Sequence, residues 1–172
     1  MNTIYEDGGG EVALIRTMGT DATPAHSARV SFGRDNVDGE LTERDAKLIR
    51  YLAKHQHTTP FEHVSATFRI TCPLFVARQI MRHRTFSFNE LSRRYTSEDV
   101  QIWKPQTLRK QHDKALQCSS DGDIENEAEL LDLIDETVGH CLEAYDRLIE
   151  AGVARELARA ILPTSTYTSF WM

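Results

Sequence analysis

The segment Val64-Ser65-Ala66-Thr67-Phe68-Arg69-Ile70 alternates apolar and polar residues at every step. In an extended strand, side chains two apart share a face, so this pattern writes one apolar face and one wet face. A parallel strand covered on both sides would read as a continuous apolar run instead. The alternation therefore demands an antiparallel sheet with one covered face, and the rest of the chain supplies the cover. A helix is predicted from Thr42: Thr42 can cap it, Asp45 puts negative charge in its first turn, and Ala46, Ile49, Leu52 and Ala53 form one stripe. Pro73 predicts a helix to about His83, with Leu74, Ala77, Ile80 and Met81 apolar. A long helix is predicted from Ile124 to Glu150, stopped by Gly152, and a short one from Val153 to Leu162, ended by Pro163. Val12–Met18, preceded by a Gly8-Gly9-Gly10 turn, and Thr166–Trp171 read as strands, and residues 97–123 as a long polar loop. The expected class is α+β, an antiparallel sheet covered by helices in a single domain spanning residues 1–172.

Composition matters here for what it excludes. At 172 residues with 40% hydrophobic and 27% charged residues, the chain can bury a core and is not of disordered composition. No apolar run approaches the about 20 residues that span a bilayer, and the first residues have neither a basic nor an apolar leader region. Cys72, Cys118 and Cys141 are far apart and form no CxxC pair, which reads as reduced, packed thiols. A cytoplasmic protein without a membrane partner is expected.

The net charge of -6 argues against general nucleic-acid affinity, yet the average hides a local inversion. Between Arg78 and Arg94 stand five arginines (Arg78, Arg82, Arg84, Arg93, Arg94) and His83 against one acid, Glu90. An acidic chain that gathers guanidinium groups in one short segment has built an anion site there. The arginine fork suits phosphate bidentately, while Ser87, Asn89 and Ser92 can complete the oxygen and amide contacts of a nucleotide. Glu90 is the acceptor of the segment, suited to an N–H or a hydroxyl. A nucleic-acid module would need a basic face over several elements, and the acidic segment from Asp121 to Glu150 opposes it.

This segment reads RHR, then Ser87, Asn89-Glu90, Ser92 and Arg94, and is similar to the signature RHRxxSxNExSxR of flavin-dependent thymidylate synthases. Three other segments resemble hallmarks of that family: Ala28-Arg29-Val30-Ser31-Phe32, His57-Thr58-Thr59-Pro60-Phe61-Glu62-His63, and Arg155-Glu156-Leu157-Ala158-Arg159-Ala160-Ile161-Leu162-Pro163. All four stand in family order. The resemblance implies methylation of dUMP to dTMP, with methylenetetrahydrofolate as methylene donor, FAD as cofactor and NADPH as reductant. It implies that Arg82, His83 and Arg84 hold FAD, that Ser31, His57, Thr59 and Glu62 line the flavin site, and that Glu90 contributes there too. It assigns dUMP to Gln79, Arg82, Ser87, Glu90, Leu91, Ser92, Arg93, Arg94 and Arg159, with Arg94 and Arg159 at the phosphate. It also implies a homotetramer with active sites shared between subunits. Ser92 has no evident base within the motif and is a binding residue rather than a nucleophile.

The sequence has no GxGxxG opening a helix and no P-loop, so a flavin site here is non-Rossmann and relies on side chains. His55, His57 and His63 could be read as a metal set, but His55 falls at a predicted helix end and no cysteine or carboxylate set accompanies the three, so no metal is expected. His26, His112, His140 and Trp103 read as surface or packing residues. Arg93 stands where many relatives of the resembled family have a small residue. That family continues past the last strand into a segment bearing the arginine that polarises the pyrimidine. The expectation is a C-terminally short member whose catalytic arginine lies beyond residue 172, with a nucleotide- or flavin-binding member that does not turn over as the alternative.

Overall fold

The computed structural model describes residues 2–4, 9–34 and 39–172, and Gly8 of the expected glycine turn lies outside them. The chain folds into two compact units, one built chiefly from Val12–Arg69 and the other chiefly from Ile70–Trp171.

Strands β1 (Asn2–Ile4), β2 (Glu11–Met18) and β3 (Ser65–Pro73) are neighbours in that order, chiefly in the first unit, with the residues of β3 from Ile70 onward counted in the second. The expected strand at Val12–Met18 is present, but Ala13 is its buried residue while Leu14, Ile15 and Met18 are exposed. In β3 the predicted alternation governs burial only from Arg69 onward: Ile70 and Cys72 are buried, whereas Ala66 is exposed. Cover thus reaches the C-terminal half of the strand. Helix α1 (Thr23–Arg29) and the 3-10 turn Val30–Phe32 were not predicted. Their sequence signals are Pro24 in the first turn and Gly33, which closes the turn at φ 66. Helix α2 (Glu43–Lys54) starts where predicted, with a full capping box in which Asp45 N–H donates to Thr42 Oγ1 and Thr42 N–H donates to Asp45 Oδ2. The link from β2 to α1 needs Gly19, at φ +84, because a Cβ there would stand 3.2 Å from the His63 carbonyl oxygen.

In the second unit, helix α3 (Leu74–Ile80) follows directly from Pro73, the N-cap. It stops three residues before His83 because the chain tightens: Arg82 N–H reaches Gln79 O at 3.4 Å and His83 N–H reaches Ile80 O at 3.1 Å, both i to i+3 bonds. Strand β4 (Asn89–Glu90) follows. The expected loop at 97–123 carries a small antiparallel hairpin, β5 (Lys110–Gln111) with β6 (Ser119–Ser120), too short to leave a periodic signal. Helix α4 (Glu127–Glu150) begins after Asn126, in the left-handed region at φ 57, and buries Val138 and Tyr145. Gly152, at φ +79, ends it, with Val153 N–H bonded back to Leu148 O at 2.9 Å. The predicted helix from Val153 is shorter: α5 (Arg155–Ala158) runs into a 3-10 turn, Arg159–Ile161, both packed on α4. Strand β7 (Tyr167–Trp171) lies between the end of β3 and β4, antiparallel to β4 with Asn89 opposite Trp171 and Glu90 opposite Phe170. Trp103 packs edge-on to Phe75, ring centres 5.3 Å apart. The class is α+β, as the sequence predicts. Among the described residues no helix is long and apolar enough to cross a membrane.

Candidate functional site

The second unit contains a cleft of about 350 Å³ in which two of the sequence segments meet. Glu90, Leu91 and Arg93 come from β4 and the turn after it, Arg159 from the turn after α5, and Arg78 from α3. Four of the nine residues assigned to the nucleotide by sequence therefore line one wall system. Gln79, Arg82, Ser87, Ser92 and Arg94 do not line it.

Glu90 is fixed from two sides. Its Oε1 accepts from Thr168 Oγ1 at 3.0 Å, and its Oε2 stands 3.9 Å from Arg78 Nη2. The hydroxyl acceptor read from the sequence is thus present, with its donor on β7, a strand the sequence gives no means of aligning with β4. Thr168 itself is buried, and its fixed hydroxyl sets the direction of the carboxylate. Arg159 is exposed and its side chain makes no hydrogen bond or ion pair among the described residues, so its donors are open to a ligand. Glu156 and Thr168 are cleft residues that the sequence did not single out, and Arg78 was read only as one of the five arginines of the anion segment. Glu156 and Arg78 carried a signal: one lies three residues before Arg159 and the other opens the arginine-rich segment.

Arg82, His83 and Arg84 follow α3 as an exposed turn. Their side chains form no hydrogen bond or ion pair among the described residues, so the donor set is free for an anion such as a diphosphate. The ring of His83 lies 6.5 Å from Phe86, Phe86 lies 6.3 Å from Phe88, and Phe88 lies 5.9 Å from the buried Phe170, all edge-on. This aromatic relay seats the loop between α3 and β4 on the sheet. Ser87, between two of its members, is exposed. Arg94 donates through Nε to Ser92 Oγ at 3.4 Å and lies over the Tyr95 ring at 5.4 Å. Arg93 turns inward, donating from Nη2 to Asp99 O at 2.9 Å and from Nη1 to Glu98 O.

Ser31, His57, Thr59 and Glu62 all belong to the first unit and are all exposed. Ser31 sits in the turn that continues α1, while Thr59 and Glu62 sit in the 3-10 turn Thr59–His63. Ser27 Oγ donates to Pro60 O at 3.2 Å, which packs α1 on that turn and brings the two groups into one local assembly. His57 instead joins a ring cluster, 6.3 Å from His55 and 6.2 Å from Tyr51. Helix α1 is held in place by Asp45, a buried carboxylate at the start of α2 that pairs with Arg29. Hydrogen bonds from Thr42, with Arg29 beside it, hold its carboxyl down to about 2 against the opposing effect of burial. Among the described residues no group of three His, Cys, Asp or Glu could hold a metal ion.

A family model described as "Thymidylate synthase complementing protein" matches residues 13–172. Over 166 residues the chain is 44% identical to the flavin-dependent thymidylate synthase of Kosmotoga olearia, covering 94% of this chain and 70% of that protein. It is 43% identical over 163 residues to a protein of the same description from Thermus thermophilus, of which it covers 58%. Among solved structures, a UMP/dUMP methylase, PolB, from Streptomyces cacaoi bound with 5-Br dUMP superposes with a TM-score of 0.80 at 34% identity. That match covers 94% of this chain and 71% of the other.

Proposed function

The chain belongs to the flavin-dependent thymidylate synthase family, and on that premise we propose that it binds FAD and dUMP and methylates dUMP to dTMP. The observation that carries this reading is the meeting of Glu90, Leu91 and Arg93 with Arg159 in one cleft, from two motifs distant in sequence. In this reading Arg159 takes the phosphate, helped by Arg94, and the Glu90 carboxylate, aimed by Thr168, accepts an N–H or hydroxyl of the nucleoside. Leu91 and Leu162 give the cleft an apolar patch against which a pyrimidine can lie.

The free side-chain donors of Arg82, His83 and Arg84 suit an anionic cofactor, and these three residues would hold FAD; Ser31, His57, Thr59 and Glu62 would line a flavin site. When bound, the flavin supplies the redox chemistry, with NADPH as reductant and methylenetetrahydrofolate as methylene donor. The chain's own residues bind, orient and fix charge.

In this reading residues 1–172 belong to one family domain, and the protein assembles as a homotetramer in the cytoplasm. Support for assembly comes from large apolar side chains left uncovered, such as Leu133 and Leu157 in the second unit and Phe32, 81% exposed, in the first. The test is incubation of the purified chain with FAD, desalting and an absorbance spectrum, followed by titration with dUMP and with UMP. Retained flavin absorbance that changes on adding dUMP is the expected result. A colourless protein that binds neither nucleotide would overturn the proposal, and dTMP formation with methylenetetrahydrofolate and NADPH separates turnover from binding alone.

A further inference from the structure

The loop between β4 and Trp103 is anchored at both ends on the same stretch of chain. At its start Leu91 N–H donates to Ser169 O at 2.9 Å. At its end Tyr167 N–H donates to Gln101 O at 2.8 Å and Trp103 N–H to Ser165 O at 2.9 Å. Between these anchors the loop begins with a tight turn, Tyr95 N–H to Ser92 O at 3.0 Å, which carries Ser92 and Arg94. Before the far anchor stands Asp99, held in the left-handed region at φ 55 although it has a side chain. The side chain that ties the far end back to the turn is Arg93, through the carbonyls of Glu98 and Asp99. Its Nε is buried without a partner among the described residues, so the stem is enclosed rather than swung into water.

We infer that Arg93 is a positioning residue that pre-orders the Ser92–Arg94 turn for the nucleotide, rather than a phosphate ligand; this rests on the function proposed above. Two of the three guanidinium nitrogens are engaged before any ligand arrives. Their acceptors are consecutive carbonyls, a target a planar fork reaches from one side and a lysine ammonium reaches only in part. Those carbonyls are held in place by the left-handed residue, so the tie and the unusual backbone support one another. A loop held at its ends alone samples many conformations, and a ligand that needs one of them binds more weakly in proportion to that fraction. The cleft position of Arg93 is thereby explained without a ligand: its positive charge faces the cleft while its donors hold the loop.

The test compares the full chain with Arg93→Ala, Arg93→Lys and Arg94→Ala. In the ligand-free state, Arg93→Ala should speed amide hydrogen exchange across Tyr95–Asp99 by roughly tenfold, because two charge-assisted bonds are lost. Arg93→Lys should fall between that and the parent. The dUMP affinity of Arg93→Ala should drop roughly threefold to tenfold, while Arg94→Ala should lose affinity with exchange at Glu98 and Asp99 unchanged. Unchanged exchange in ligand-free Arg93→Ala overturns the inference, as does faster exchange with undiminished dUMP binding. If the parent itself binds no dUMP, the functional reading falls, and the exchange comparison still decides whether Arg93 orders the loop.

Discussion

Asp45 Oδ1 pairs with the guanidinium of Arg29 while Oδ2 closes the N-terminal cap of α2, so one buried carboxylate fastens α1 to α2. From the sequence Asp45 is only first-turn charge; in the fold it also sets where Ser31 stands, two residues after Arg29. Asp45→Ala removes a cap and leaves Arg29, mostly buried, without its counter-charge. The expected loss of stability is about 2–4 kcal/mol, read from urea denaturation. A loss under about 0.5 kcal/mol would show that the pair is incidental.

The same residue predicts acid sensitivity. Its carboxyl is depressed from 3.8 to about 2 in the folded chain, so the folded state holds the proton more weakly than the unfolded one. The stability this contributes is fully present above the unfolded value of 3.8 and is lost as pH falls through about 2. The urea midpoint of the parent should therefore slope downward across that window. In Asp45→Asn the slope there should be shallower by the part that Asp45 supplies, and an unchanged slope would assign acid denaturation to other carboxylates.

Cysteine chemistry should separate by environment. Cys72 is buried, and burial, with the nearby Glu90 charge adding to it, pushes its thiol up to about 11. Cys118 is exposed on the hairpin beyond Gln111. At pH 8 iodoacetamide should modify Cys118 first and leave Cys72 unmodified until the chain unfolds, with mass spectrometry of peptides as the readout. Early modification of Cys72 would mean that β3 opens readily.

What was legible in the sequence follows from the range over which each signal acts. The cap at Thr42, the stop at Gly152 and the alternation through Ile70 are local, and each marked its element. The four motifs were legible as short patterns, yet their partners were not. Thr168 aims Glu90 only because β7 lies beside β4, a pairing with no trace in either segment. Helix α1 was missed because its seven residues, Thr23–Arg29, are too few for a clear period, although Pro24 marked its start. The two-residue strands β4, β5 and β6 likewise fall below any periodic signal. The inward turn of Arg93 was hidden for another reason: an arginine beside Arg94 reads as more phosphate-binding charge until its acceptors are seen.

Arg159 offers the sharpest test of the cleft, because it is exposed and makes no side-chain hydrogen bond or ion pair among the described residues. Removing it should leave stability within about 0.5 kcal/mol of the parent, as for other unpaired surface positions. If it receives the phosphate of dUMP, Arg159→Ala loses a charge-assisted contact of roughly 1.5–3 kcal/mol, about 10- to 150-fold in affinity. Deoxyuridine, which lacks the phosphate, should bind the variant and the parent alike. Arg159→Lys keeps the charge but not the bidentate fork, so it should recover part of the loss, and more of it at low salt. Calorimetric titration of the three chains with both ligands makes the comparison. Equal weakening of dUMP and deoxyuridine would take the phosphate away from Arg159, and a fall in thermal midpoint would make Arg159 a structural residue of the turn after α5.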